Sequence, residues 1–488
     1  MALTVGMAAV LAPSVAEACG GCFVGGETES TVVTGHRMAM AISQTQSVLW
    51  DQFDYAGDPA EFAWVLPIKP GARVEVAQDA LFDVLDAGTS VSVGSRLVPC
   101  SSGGSGFGCG DADGLSEAGG EYGSNDPVTV VSQSTVGPYE TVTLSTEQPG
   151  ALNEWLVGHG YNVPSSIQPT IDAYVAEGFD FIALRLIPGN GVQQMQPVRV
   201  VMPAGQMTLP LRLVGAGTGA QTAITLFVIS EGRYQVQNFP NLSLNRDGVV
   251  WDFATSSSNY RAIRAAVLKK EEGLGWLTAY ARKDTLLLPT NDNSLELGGQ
   301  LSYQTPVNPG TFGGESVVNA QTMASAYLFA TADNRDAALA CSESFWRAAR
   351  QGLRVVDNCD ADGNCAPLAA DEISTQELRC SAEADDLAVA LTGMRASDVW
   401  ITRLEADLPR AAFERDLVLE ASSDQSELDS RFVAPSYINS PCGPSVGLAG
   451  LAGASQGQGR SGRLPSDLLV ALTLGALGVA LVLRRPSL

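Results

Sequence analysis

The sequence predicts an α+β fold: β-rich, with mainly antiparallel sheets and packed helices, forming a disulfide-stapled ectodomain plus one C-terminal transmembrane-like helix. Three observations predict it. Apolar runs with partial period-two alternation recur along the chain, separated by Gly, Pro and Asp turn signals, as antiparallel strands require. Between them lie short amphipathic stretches of helical period. Nine cysteines follow an N-terminus built like an export signal, and in an oxidising compartment disulfides are their default state.

The N-terminus carries a short apolar stretch from Met1, a break at Pro13, and small residues at Ala16 and Ala18 in an A-x-A arrangement. This reads as a signal peptide over 1–18, although its usual basic start is missing. At 488 residues the chain exceeds one ordinary core. The expected division is a β-rich domain over 19–250 and an α+β region with disulfides over 251–440. A Gly/Ser-rich linker over 441–465 and a transmembrane or sorting-tail helix over 466–485 follow. In the last of these, Leu468 to Leu483 is uncharged and is followed at once by Arg484 and Arg485, which would hold the C-terminus in the cytoplasm.

Thr31 to Leu49 reads as one strand and Phe62 to Leu66 as a short buried one, after a turn at Gly57-Asp58-Pro59. Leu81, Phe82 and Leu85 mark a helix over Gln78–Asp86. Strands resume at Pro127–Val136 and Glu140–Leu144, then helices around Trp155 and from Pro169 to Gly178. Phe179–Ile187, Pro197–Met202, Leu209–Val214 and Thr222–Ser230 follow as strands. The last is apolar on both faces and so should be central. Glu231-Gly232 then suggests a hairpin into Tyr234–Val236. Helices are expected over Asn259–Glu272, Arg335–Arg350 and Glu372–Met394, and strands over Val399–Leu408 and Asp416–Leu419, with the helices packed on one side of the sheet. A faint echo relates Glu61-Phe62…Leu66-Pro67 to Asp180-Phe181…Leu186-Ile187-Pro188.

Lys and Arg total 29 against 53 Asp and Glu, a net charge of −24. So acidic a surface repels phosphate backbones, which argues against nucleic-acid partners. The partners this leaves are a membrane, through the C-terminal helix, and a surface protein or saccharide. The basic residues Arg261, Arg264, Lys269 and Lys270 fit a solvated helix face.

The cysteines carry the most suggestive chemistry. Cys19-Gly20-Gly21-Cys22 has redox-motif spacing, but it lies at the start of the expected mature chain and is followed by Phe23, which excludes haem attachment. A structural disulfide suits it better, and Cys19 is also a lipidation candidate. Cys100 and Cys109 would close a compact loop. Cys341, Cys359, Cys365 and Cys380 would form two disulfides clamping a loop onto its flanking helices, since no C-x-x-C pair among them suggests zinc. Cys442 is the odd one out, a free or modified thiol. Within the clamped loop, Asn358, Asp360, Asp362 and Asn364 alternate as oxygen donors, with Gly363 in the sixth place. That is how a calcium loop opens, but its closing Glu is absent, Ala369 standing there instead. Asp111 and Asp113 repeat the fragment beside Cys109. These acidic turns are either plain turns next to disulfides or calcium sites.

Catalytic machinery is not identifiable. Only His36 and His159 are present, and Gly443-Pro444-Ser445-Val446-Gly447 matches a nucleophile elbow inside the linker, with no strand before it. Asp51, Asp54, Asp58 and Glu61 lie near aromatics, as in a saccharide site, without a spacing that pairs them.

Several stretches together resemble one family: Ala18-Cys19-Gly20-Gly21-Cys22-Phe23, Gly57-Asp58-Pro59…Phe62-Ala63-Trp64-Val65-Leu66-Pro67, Trp155-Leu156…Gly160-Tyr161…Pro164, Tyr174-Val175…Gly178-Phe179-Asp180-Phe181, Gln196-Pro197-Val198 and Thr402-Arg403-Leu404. Over roughly 18–440 the chain resembles the bacterial envelope proteins grouped as domain of unknown function 2330, common in myxobacteria. That resemblance implies export and domain extent, and no activity. The tail is similar to envelope sorting tails, except that Cys442 lies far upstream of the helix. The expectation is therefore a secreted, envelope-tethered binding or structural surface protein. The alternative is an extracytoplasmic thiol–disulfide or carboxylate-based hydrolytic enzyme.

Overall fold

The computed structural model describes residues 22–24, 32–56, 62–95, 129–158, 167–187, 196–283 and 343–439, apart from positions 149, 204, 217, 346, 350, 361–362 and 381. The signal at 1–18, the linker at 441–465 and the apolar tail at 466–485 lie outside the described residues. Among the described residues no helix is long and apolar enough to cross a membrane.

Two sheets form the centre. The larger has eight strands in the order β14-β17-β20-β12-β2-β3-β10-β5. These are β2 (Val32–Ile42), β3 (Gln46–Ala56), β5 (Arg73–Val76), β10 (Val198–Pro203), β12 (Thr218–Ser230), β14 (Asn241–Leu242), β17 (Trp276–Arg282) and β20 (Trp400–Pro409). Its neighbours are antiparallel except β12 with β2 and β14 with β17. The smaller sheet is wholly antiparallel, in the order β1-β4-β9-β8-β7, with β1 (Cys22–Val24), β4 (Phe62–Ile68), β7 (Thr129–Val136), β8 (Tyr139–Ser145) and β9 (Asp180–Leu186). Small ladders join β11 (Thr208–Leu209), β21 (Leu417–Ala421) and β13 (Tyr234–Val236), then β16 (Ser257–Ser258), β15 (Val250–Asp252) and β23 (Ser436–Ile438). Two more pair β18 (Arg354–Val356) with β19 (Glu372–Ser374) and β22 (Arg431–Val433) with β6 (Ser92–Gly94). The helices are α1 (Asp79–Thr89), α2 (Ala151–Gly158), α3 (Gln168–Ala176), α4 (Tyr260–Leu268), α5 (Thr375–Leu378) and α6 (Ala382–Leu391).

Strand alternation sorts the side chains into layers. Met38, Met40, Leu49, Leu226, Val228 and Leu404 leave one face of the large sheet and meet Trp64, Leu66, Ile182 and Leu184 from the small one, a sandwich core between sheets. The opposite face of the large sheet, with Trp50, Phe227, Ile229 and Ile401, is covered by Leu81, Phe82 and Leu85 of α1 and Leu387, Ala388 and Leu391 of α6. The outer face of the small sheet, with Val142, Leu144, Phe181 and Ala183, receives Leu152, Trp155 and Leu156 of α2 and Ile171, Tyr174 and Val175 of α3. The layers run α/β/β/α. Helices therefore cover both outer faces, not one side as expected, because each sheet is apolar on both of its faces.

Three further expectations need correction. The strand expected over Thr31–Leu49 is a hairpin: the Ser43 hydroxyl accepts the backbone N–H groups of Thr45 and Gln46, turning the chain without Gly or Pro. Gly393, at φ +85°, seats the end of α6 on that turn, where any Cβ would strike the Ser43 side chain. The turn at Glu231-Gly232 does not make a hairpin with β12. Strand β13 leaves to pair with β21, Tyr234 opposite Ala421. Nor does position 250 separate two domains, since β17 and β20 from beyond it belong to the same sheet as β2, β3 and β12. The described residues form one compact unit. Strand β12 is central, as its two apolar faces predict, and the two halves of the sequence echo, β4 and β9, are hydrogen-bonded neighbours.

Candidate functional site

The loop that suggested calcium is a disulfide-closed knuckle. Cys359 and Cys365 are bonded, Sγ–Sγ 2.06 Å, so this bridge closes the loop on itself and does not clamp it to a helix. Cys380 is also disulfide-bonded. Inside the knuckle, Asp360 Oδ1 accepts the backbone N–H of Asn364 at 2.8 Å, and the Asn364 amide also donates to that carboxylate. Asn358 donates to the Ala366 carbonyl at 2.6 Å and accepts from the Ser374 hydroxyl at 2.6 Å. Amide donors thus meet the carboxylate where a cation would need open oxygens. Among the described residues no group of three or more His, Cys, Asp or Glu could hold a metal ion. Asp362, Asp111, Asp113, Cys19, Cys100, Cys109, Cys341 and Cys442 lie outside the described residues. Cys22 is placed by its backbone in β1, opposite Trp64.

The carboxylate reading places Asp51 in the wrong surroundings for a saccharide site. It is buried in the sandwich, and its Oδ1 lies 3.2 Å from His36 Nδ1 on the neighbouring strand. Asp58 and Glu61 lie outside the described residues.

Polar groups converge instead at the outer edge of the large sheet. Strand β17, next to the short edge strand β14, is paired with it only at Trp276 and Leu277. It is bridged again at Ala281, whose N–H and carbonyl both bond Leu428. Between these contacts β17 carries a bulge against β20, where the register shifts between Thr278 and Tyr280. A cavity of about 200 Å³ opens there, lined by Leu244, Arg246, Tyr260, Leu277, Thr278 and Leu428 among others. The apolar wall continues into a small core beneath α4, where Val267, Leu268 and Leu277 pack with Leu242, Leu244 and Ile263.

Behind the cavity runs a chain of ion pairs. Arg264 of α4 donates to Glu405 at 2.5 Å, Arg403 donates to the other Glu405 oxygen at 2.7 Å, and Arg403 also reaches Asp86 of α1 at 2.7 Å. Arg37 closes the chain on Asp86 at 2.8 Å. Each carboxylate is shared by two guanidinium groups, so these charges hold α1 and α4 against the sheet. Tyr260 stands between this chain and the cavity. Burial, and then the Glu405 charge, push its phenol above the ordinary tyrosine value. Arg246 differs from its neighbours. Its guanidinium donates to the Asp429 carbonyl at 2.5 Å and stacks 4.4 Å from the Phe432 ring, but among the described residues it forms no salt bridge. Burial holds it below the usual arginine range, and the nearby Tyr260 and Asp429 groups offset only part of its lost hydration.

The sequence reading missed this site. Arg264 was visible only as one charge on a solvated-looking helix, and Arg246 and Tyr260 carry no motif. One signal was present: Arg403 and Glu405 alternate with apolar Ile401 and Leu404 in a strand, and charges placed there need buried partners.

With this geometry in place, comparison with known proteins adds one fact. A family model described as an uncharacterized protein conserved in bacteria, DUF2330, matches residues 13–279. The chain belongs to the DUF2330 family. No curated protein and no solved structure matches it. The DUF2330 span supplies the Leu277 and Tyr260 walls of the cavity, and Leu428 closes it from beyond that span. Several of the described residues that carried the resemblance are structural in this chain. Trp155 and Leu156 fill the core under the small sheet, and Trp64 fills the sandwich. Tyr174 donates to Asp416 at 2.5 Å, and burial followed by the Asp416 charge raises its phenol far above the ordinary value. Arg212 then grips both Asp416 and Glu177 and stacks over the Tyr174 ring at 4.1 Å.

Proposed function

We propose that this DUF2330 protein is an exported, envelope-tethered ectodomain that acts as a binding or structural surface protein. The observation that carries the reading is the Cys359–Cys365 disulfide, with Cys380 bonded as well. Disulfides persist in extracytoplasmic spaces and are reduced in a bacterial cytosol. The export-like N-terminus and the apolar tail with its two arginines support the same placement. A binding role suits the geometry because Arg233 and Asp424 beside the cavity are ion-paired and Arg246 is held by a carbonyl and a ring, a fixed frame rather than a reactive centre. Intact and peptide mass spectrometry of native protein, with and without reductant, tests the placement together with cell fractionation. A chain trimmed near Cys19, bridged at Cys359–Cys365 and recovered with the envelope is the expected result. A full-length, reduced chain in the cytosolic fraction sinks the reading.

A further inference from the structure

We propose that the cavity beside β17 binds a carboxylate carried on a short apolar stem, with Arg246 and Tyr260 as its anchors. This rests on the reading of the ectodomain as a binding protein and names the ligand chemistry of the same site.

The reasoning starts from which charges at the cavity are already committed. Arg233 lines it but is spent on Asp424 at 2.8 Å and on the Ser426 carbonyl at 3.0 Å. Glu427 lines it and faces Arg282 at 3.6 Å. Among the described residues the Arg246 guanidinium makes one hydrogen bond, to a carbonyl, and stacks on one ring, with the Asp429 charge nearby. Among the described residues the Tyr260 hydroxyl makes no hydrogen bond, so a second donor lines the same space. A planar guanidinium fork beside a phenol donor matches a carboxylate, which can take two N–H bonds and one O–H bond. Burial has already stripped Arg246 of part of its hydration, so an anion there regains what was lost. A multiply charged phosphate fits poorly, because Asp424 and Glu427 also edge the cavity and their repulsion grows with ligand charge.

The rest of the ligand is set by the walls. Leu244, Leu277 and Leu428 present an aliphatic surface, and the volume corresponds to about six or seven waters. That is the size of a four- or five-carbon acid. The cavity opens in a gap between two short pairings on a sheet edge, where a chain can continue outward. The same chemistry therefore has two sources, a free short-chain acid or the C-terminal residue of a polypeptide ending in an aliphatic side chain.

Full-length protein is titrated by calorimetry with valerate, valeramide, and N-acetyl-Ala-Leu bearing either a free or an amidated C-terminus. Binding of the acids at low-millimolar or better affinity, with at least tenfold weaker binding of the matching amides, is the expected result. Arg246→Gln should weaken acid binding tenfold or more. Tyr260→Phe should weaken it several-fold without touching the fold, since among the described residues the phenol oxygen makes no hydrogen bond. A peptide acid that binds tenfold tighter than valerate identifies a polypeptide terminus as the source, and equal affinities identify a free small acid. The proposal is overturned if no acid binds, if amides bind as well as acids, or if Tyr260→Phe and a folded Arg246→Gln bind as the parent does. A protein that is exported and bridged yet takes up no acid overturns this proposal alone and leaves the placement standing.

Discussion

Arg199 gathers three carboxylates in a space that side chains almost fill. Its guanidinium meets Asp386 at 2.8 Å, Glu75 at 2.6 Å, and Asp385. Asp386 is also bonded by the Trp50 indole N–H at 2.8 Å and the Gln78 backbone N–H at 2.7 Å. Burial outweighs all of these and leaves the Asp386 carboxyl above its ordinary range. Burial pushes Glu75 upward too, but there Arg199 and Arg73 prevail and hold it below. A carboxyl raised by folding stabilises most below its unfolded pKa and loses that contribution as pH rises through the folded one. A lowered carboxyl contributes above its unfolded pKa and loses as pH falls through its folded one. In the parent protein the two trends oppose each other. Arg199→Met removes the downward pull on Glu75 and Asp386 and strands Asp386 as a buried charge, at a cost of about 3–5 kcal/mol near neutral pH. Because the acids then take up protons on folding, the deficit should shrink between pH 7 and pH 5 in urea unfolding. A deficit that is constant or grows toward pH 5 would show that the network is not what Arg199 holds.

Elements were legible where one segment encodes its own environment. Strand β12 announces its central place because Ile224, Leu226 and Val228 face one core and Phe227 and Ile229 the other. Helix α1 shows its stripe at Leu81, Phe82 and Leu85. Pairing was not legible, since a strand's composition says nothing about which distant edge it will meet. Thus β13 finds β21, nearly two hundred residues on, and the long helix expected over Glu372–Met394 divides into β19, α5 and α6. There Ser374 ends the strand and caps α5 by accepting the Gln376 N–H at 3.2 Å. The cavity was invisible for the same reason, being built from β14, β17, α4 and the stretch around Leu428. The disulfide knuckle, by contrast, is a local device. Replacing Cys359 and Cys365 together with Ser opens a loop of six-residue separation, and the entropy of so short a loop puts the loss at about 2 kcal/mol. The Asn358 bonds to Ala366 and Ser374 remain, so a single cooperative transition at a lower melting temperature is expected in calorimetry. Loss of cooperative unfolding would mean that the knuckle organises more of the chain than its own turn.

At the scale of the molecule, the family match and the folding unit do not coincide. The matched span ends at residue 279, within β17, whereas the large sheet needs β20 from residues 400–409. Strand β20 is not an edge that could be trimmed. It lies between β12 and β17, pairing with β12 from Ser230–Trp400 to Gln221–Pro409 and with β17 from Leu277–Glu405 to Arg282–Ile401. It also delivers Leu404, Ala406 and Leu408 to the sandwich core and Ile401 to the helix-covered face. Without it, β17 loses its main partner and β12 becomes an unpaired edge whose two faces remain apolar, the arrangement that invites aggregation. A fragment ending at Lys283 would keep every motif within the family match and still lack the strand that joins the two parts of the large sheet. Such a fragment should be insoluble, or compact without fixed packing, with near-ultraviolet circular dichroism lost and no cooperative melting. A chain ending after Asn439 keeps β20, β21, β22 and β23 and should melt cooperatively, close to the full-length protein. If the short fragment instead shows dispersed amide resonances and a sharp thermal transition, the matched span is a domain in its own right. In that case β20 is an addition to the fold rather than part of its centre.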